Sequence, residues 1–356
     1  MTARLVRTEA VVEGRVEQRY ALVEDDDTPE YGPAGAEPVG LPHTRLTAAA
    51  RLTGGARFTS DLRLPGMLEA RVLRSPHANA RLLSIDLEAA AAVPGVRAVL
   101  PPDGAPTFEG EPVLGREPRF AGAAVAAVAA ESGEAAEAGL ASLAPVYEPL
   151  PFAVDLDAAL ARQDVIGDPT DSERGDAEAA LARAEVTIEA GYSSPAQLHN
   201  SMETHCAVAD WDADGLTVWS STQGIYEGRA QLAASFGLER DAVRVICEYM
   251  GGGFGSKFGV GHEGVLAAAL SRESRRPVRL VYSRRDENTV AGFRTPTHFH
   301  FRIGADRDGR LQAIEAEATQ EMGDGGWVSP SLVPADVVYA CPNVHVMVLG
   351  LRQNLG

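Results

Sequence analysis

The residues with most chemical potential form one short run, Gly251-Gly252-Gly253-Phe254-Gly255-Ser256-Lys257. Val243 to Ile246 before it reads as a strand, and His262 to Ser274 after it reads as a helix. A strand–loop–helix junction of this kind can aim several backbone N–H groups at one bound anion. Its glycines let the backbone approach a ligand closely and adopt positive φ. Two familiar phosphate loops fail on spacing. A Walker A loop needs G-x-x-x-x-G-K-(S/T), but Ser256 stands at its second glycine and Phe258 at its hydroxyl position. A dinucleotide fingerprint needs G-x-G-x-x-G, and Ser256 or Phe258 falls on its last glycine. Lys257 is the only lysine in the chain. It either faces a phosphate or serves as a structural or surface lysine.

Other groupings invite metal or acid–base readings. His199, Glu203 and His205 can be drawn as a metal triad, but the supporting pattern of a zinc site is missing. They read instead as a loop entering a strand. His298 and His300 are two residues apart in a strand-like run, which puts both rings on one face as a solvated or packed pair. Asp286 and Glu287, after Arg284-Arg285, read as a solvated charge run. No metal ligand set is expected.

Composition narrows the function classes. At 356 residues the chain is long enough for about two or three domains. A net charge of −18 argues against nucleic acid, because such binders need a basic face. Cys206, Cys247 and Cys341 are far apart, so neither a disulfide framework nor a four-thiolate iron–sulfur site is available. That usage suits a reducing, cytoplasmic setting. Met1 to Arg19 is charged throughout and reads as no signal peptide, and no apolar run is long enough to span a bilayer.

The elements that must position the glycine run follow from patterning. Residues 1–38 read as a flexible N-terminal extension, with an acidic linker around Glu24 to Pro29. From Val39 to Phe152 the pattern is mixed α/β. Met67 to Leu73, Val96 to Leu100 and Ala123 to Ala129 are strands, and Leu87 to Ala92 and Ser132 to Leu143 are helices. Residues 153–178 connect, with the polar run Asp168 to Glu173 and with Asp176 placed to cap a helix. Beyond Val186, Cys206 to Trp211 and Leu216 to Ser220 flank a hairpin turn, and Ile225 to Phe236 is helical. Val278 to Tyr282, Phe299 to Ile303 and Leu311 to Glu317 are further strands. Val344 to Leu349 is an apolar strand-like run, expected to expose a sheet edge.

The glycine run resembles the G-G-G-F-G-(G/S)-K signature of molybdenum hydroxylase large subunits, the xanthine dehydrogenase and aldehyde oxidase family. His199-Asn200-Ser201-Met202-Glu203 resembles the family's H-N-x-M-E. Trp219-Ser220-Ser221-Thr222-Gln223 resembles its W-x-S-T-Q, and Arg276-Pro277-Val278-Arg279-Leu280 with Ser283-Arg284 resembles its R-P-V-K-L and S-R strand. Arg74-Ser75-Pro76-His77-Ala78, Ile85-Asp86 and Pro94-Gly95-Val96 resemble an earlier block, with Ala78-Asn79-Ala80 where the family has A-H-A. Gly175-Asp176 resembles the G-D after the domain linker. The match runs in the family's order from about Val39 to the end.

The resemblance implies an α+β chain: an α/β hammerhead domain over 39–152, then the first part of a molybdopterin-binding domain over 179–356. It implies a molybdenum–molybdopterin cofactor, in the cytosine dinucleotide form. By motif, Gln223, Phe254 and Gly255 lie beside the molybdenum centre, Gly252 and Gly253 complete the cofactor loop, and Phe258 belongs to the substrate pocket. The implied reaction is hydroxylation of an aldehyde carbon or of a carbon beside nitrogen. Its oxygen comes from water, and its electrons leave through 2Fe–2S clusters to FAD on partner subunits. Xanthine-type members carry Glu where this chain has Phe258, so a purine is not the expected substrate. No catalytic residue is expected within the chain, because the family's base, a Glu, lies beyond Gly356. A further chain is expected to complete the domain, and this one is expected to be inactive without it. The rival reading is a truncated, non-catalytic remnant or an assembly or scaffold protein of the same fold. The two failed phosphate-loop spacings argue against a stand-alone nucleotide-binding protein.

Overall fold

The computed structural model describes residues 2–12, 15–25, 45–325 and 328–356, the first two segments as backbone only. It divides into two compact units, Met1–Ala56 and Arg57–Gly356. In the first unit Thr2–Val12 and Arg15–Asp25 pair as an antiparallel hairpin, with Val12 opposite Arg15. The expected flexible extension over 1–38 therefore contains two paired strands. Recurrent β-branched residues such as Val6, Thr8, Val16 and Val23 favour that conformation. Most of the expected acidic linker and everything from there to residue 44 lies outside the described residues.

The second unit is built on a seven-stranded sheet. Its strands lie in the order Val243–Ile246, Gly215–Ser220, Cys206–Asp212, Val278–Val281, Leu68–Arg74, Ala124–Ala130, Val96–Leu100. Strands from the expected hammerhead range and from the expected cofactor-domain range thus pair in one sheet. Val278–Val281 runs parallel to Leu68–Arg74, with Leu280 opposite Ala70. One apolar cluster continues across the join, from Leu68 and Ala129 to Val218 and Leu280. The helix Gly261–Ser274 packs on this sheet, and Glu263 to Ser271 are all buried. Val265-Leu266-Ala267-Ala268-Ala269-Leu270 leaves it no polar stripe, and a helix that is apolar all round must be covered. Ser132 caps Gly133–Ser142 by accepting from Ala135 N, and Asp176 caps Ala177–Arg183 from Ala179 N, as their positions predict.

A second sheet has five strands in the order Thr170–Arg174, Val344–Arg352, Leu311–Met322, Thr297–Ala305, Val186–Ser194. Two expectations are corrected here. The polar run Asp168 to Glu173 is largely an edge strand; all five residues of that strand, Thr170–Arg174, are exposed, so no apolar alternation marks it. Val344–Arg352 is no edge: it is paired on both sides and its alternate residues are buried. The apolar edge is Val186–Ser194, where Ile188 and Tyr192 are each 62% exposed. No helix among the described residues is long and apolar enough to cross a membrane.

Candidate cofactor-binding site

Strand direction brings the motifs together. Gly215–Ser220 and Val243–Ile246 are parallel neighbours, with Trp219 opposite Ile246. The chain leaves both at the same end of the sheet, so Gln223 and the glycine loop emerge side by side. Cys206–Asp212 is antiparallel to Gly215–Ser220, so its beginning and the preceding His199-to-His205 segment lie at that end too. Cys206 in turn faces Val281, which adds the Tyr282-to-Glu287 stretch.

The loop takes a shape that glycine alone makes cheap. Gly252 and Gly255 have φ of 106° and 95°. Phe254 also lies in the left-handed region, at φ 53°, which is rare for a bulky side chain. A Cβ on Gly253 would sit 2.4 Å from Gln223 Oε1. That oxygen accepts from Gly255 N at 3.0 Å and from Lys257 N at 3.4 Å, while Gln223 N donates to Lys257 O at 2.7 Å. Arg294 donates to Phe254 O at 3.1 Å. Phe254 and Phe258 are exposed. The amides of Gly252, Gly253 and Phe254 have no hydrogen-bond partner among the described residues.

Beneath the loop lies a layer of buried charge. Lys257 does not reach outward toward a phosphate: it is 2% exposed, and its ammonium donates to Glu203 O, Thr204 O and Ser221 Oγ. The expected solvated charge run at Arg284 to Glu287 is also corrected. It opens a short helix, Arg284–Val290, with a Ser283–Asp286 capping box. Asp286 pairs with Arg74, and Glu287 is buried. Glu287 Oε2 accepts from both N and Nδ1 of His205, each at 2.9 Å, and His205 Nε2 lies 3.1 Å from Ser256 O. Both ring nitrogens face acceptors, an arrangement that the imidazolium satisfies at both positions. Burial pushes the His205 pKa down, but the Glu287 bond and the Glu263 and Glu287 charges outweigh it and leave it raised. Burial likewise pushes Glu287 up, yet the His205 bond and charge hold it below its ordinary value. Burial raises Glu263.

Among the described residues no three His, Cys, Asp or Glu side chains, His199, Glu203 and His205 included, are placed together to hold a metal ion. His298 and His300 do share a face direction, but each pairs with its own carboxylate, Glu321 and Glu189 respectively. Sequence reasoning set Glu203, His205 and Glu287 aside. The only signal for Glu203 was its place in the H-N-x-M-E segment, and Glu287 carried none, because its partner is 82 residues away.

The fit to a pterin cofactor rests on three observations. Three adjacent loop amides lack partners among the described residues, and two of the loop glycines hold positive φ with one of them, Gly255, open to space. Ser201 Oγ is buried without a partner, and its Cβ would lie 3.5 Å from a Cβ on Gly252. Such a surface suits an acceptor-rich, anionic ligand.

Comparison with known proteins agrees with this. The family model for the molybdopterin cofactor-binding domain matches residues 161–356, and that for the aldehyde oxidase and xanthine dehydrogenase a/b hammerhead domain matches 53–151. The chain belongs to the xanthine dehydrogenase and aldehyde oxidase family of molybdenum hydroxylases, as a molybdopterin cofactor-binding chain. It is 32% identical to the aldehyde oxidoreductase molybdenum-binding subunit PaoC of Escherichia coli, over 90% of this chain and 45% of that one. It is 31% identical to the nicotinate dehydrogenase large molybdopterin subunit of Eubacterium barkeri, over 86% of this chain and 77% of that one. Among solved structures it resembles quinoline 2-oxidoreductase of Pseudomonas putida 86, with a TM-score of 0.78 and 28% identity, over 87% of this chain and 44% of that one. The chain thus spans about half the length of most of these relatives, but over three quarters of the Eubacterium subunit.

Proposed function

We propose that this chain supplies the glycine-loop part of the molybdenum–pterin site in a hydroxylase that oxidises an aldehyde or an N-heterocycle. The observation that carries the reading is the meeting of Gln223 with a loop that keeps three adjacent amides unpartnered. Gln223, Gly252, Gly253, Phe254 and Gly255 would hold the cofactor, and Phe258 would face the substrate. When bound, that cofactor takes two electrons from the oxidised carbon and delivers oxygen derived from water. The chain's own part is binding and positioning. Backbone N–H groups meet acceptor atoms, the neutral Gln223 amide adds no charge, and the exposed Phe254 and Phe258 rings offer apolar faces to the bound group.

In this reading 2Fe–2S clusters and FAD come from partner subunits, while the catalytic Glu and the rest of the cofactor domain are not among residues 1–356. The three cysteines are scattered, two of them buried, and so form no cluster site. The Eubacterium relative shows that a chain of comparable length is a molybdopterin subunit. A cytosine dinucleotide form of the cofactor and a cytoplasmic location complete the proposal.

The test is to co-express the chain with its neighbouring gene products and assay the purified complex for molybdenum and pterin. Stoichiometric pterin with aldehyde oxidation is expected. A complex that assembles but holds neither metal nor pterin would leave the remnant or scaffold reading standing instead.

A further inference from the structure

Both ends of the glycine loop are fastened to one residue, Glu203. Glu203 Oε2 accepts from Gly251 N at 2.6 Å and from Ser221 Oγ at 2.7 Å. At the other end, Lys257 Nζ donates to Glu203 O at 2.7 Å and to Ser221 Oγ at 2.8 Å, and lies 3.9 Å from Glu203 Oε2. The Lys257 side chain is fully buried and that of Glu203 is 7% exposed. With Thr204 O as a third acceptor, at 3.4 Å, every ammonium proton has a partner inside the protein. The approach is close: a Cβ on Gly251 would lie 2.5 Å from Glu203 Cβ.

A buried ammonium is costly unless it is paired and hydrogen-bonded. Here the burial joins three separate segments, 203–204, Ser221 and the loop. We propose that Glu203 and Lys257 are a positioning pair: they fix the spacing of the loop's two ends and so preset its unpartnered amides, and Lys257 itself does not touch the ligand. A loop fixed beforehand loses less freedom on binding. The proposal rests on reading the loop as the pterin site.

Lys257 is the chain's only lysine, so an amine-selective reagent such as an N-hydroxysuccinimide ester has a single side-chain amine to label. Mass spectrometry of the labelled complex then reads this one group. The native complex should label at Lys257 at least about tenfold more slowly than in urea, and Glu203→Gln should speed the native reaction. Glu203→Gln, Lys257→Met and the double variant should each lose bound pterin by a similar factor, about tenfold, or about 1.4 kcal/mol. The double variant should be no worse than the singles, because paired groups act as one unit. Ser221→Ala leaves no charge unpaired and should give a smaller loss in the same direction.

Native labelling as fast as in urea overturns the proposal. So does pterin loss in Lys257→Met while Glu203→Gln and Ser221→Ala keep it, which would make the lysine a direct ligand. If Glu203→Gln fails to fold, native labelling and Ser221→Ala decide, and an unaffected Ser221→Ala counts against. If labelling behaves as expected but no form binds pterin, the cofactor reading fails and the pairing stands.

Discussion

Gln223 Oε1 accepts the Gly255 amide at 3.0 Å, joining residues 32 apart in sequence. The same oxygen receives the Lys257 amide, so one side chain braces the outer half of the glycine loop. Gln223→Ala would leave both amides without that acceptor, at a cost of about 1–3 kcal/mol for a buried group and less where water can enter. Gln223→Ala and Phe254→Ala should lower molybdenum and pterin content roughly tenfold, while His199→Ala should leave them nearly unchanged. His199 lies at the same end of the sheet but bonds to no loop residue. Equal metal content in all three variants would undo the site assignment.

The His205–Glu287 pair makes stability depend on pH. His205 has a raised pKa, so its contribution is complete below 6.5 and is lost as pH rises through the folded value. Glu287 has a lowered pKa, so its contribution is complete above 4.5 and is lost as pH falls through the folded value. Both are fully present between those limits. Stability of the complex to urea should therefore decline as pH rises above 6.5, and Glu287→Gln should flatten that decline. An unchanged slope in the variant would mean that His205 is neutral throughout.

Val186–Ser194 is an edge strand whose Val186, Ile188 and Tyr192 are all exposed at alternate positions, on one face. An open apolar edge of this kind invites pairing between chains. The chain expressed by itself should self-associate and show no hydroxylase activity, and Ile188→Lys should shift it toward monomer. Light scattering after size exclusion checks this. A monomeric wild-type chain at about 50 µM, where weak pairing would show, speaks against the edge as the cause.

Phe258 is 67% exposed, just past the loop. If it faces the substrate, its ring offers no hydrogen bond to a purine. An apolar pocket rejects a more polar substrate only by about 10²-fold, which is the order of loss expected here. The assembled enzyme should oxidise aromatic aldehydes and should be a poor xanthine oxidiser. Steady-state kinetics with both would show it, and a clear preference for xanthine would remove Phe258 from the pocket.

Local signals were legible because they act over a few residues. Ser132 and Asp176 announce their helices by capping geometry, the apolar run of Gly261–Ser274 requires burial, and the glycine run marks a loop with positive φ. Motif order carried the family and the two domain types. Tertiary structure decided what sequence separation hides. It joined strands from the two expected domains in one sheet by pairing Leu68–Arg74 with Val278–Val281. It made Val186–Ser194 the open edge and Val344–Arg352 an interior strand, a matter of which partners lie alongside. It turned Lys257 and Glu287 inward, because a charge is buried only where distant residues supply its partners, and those partners, Glu203, Ser221 and His205, are set by strand direction and register.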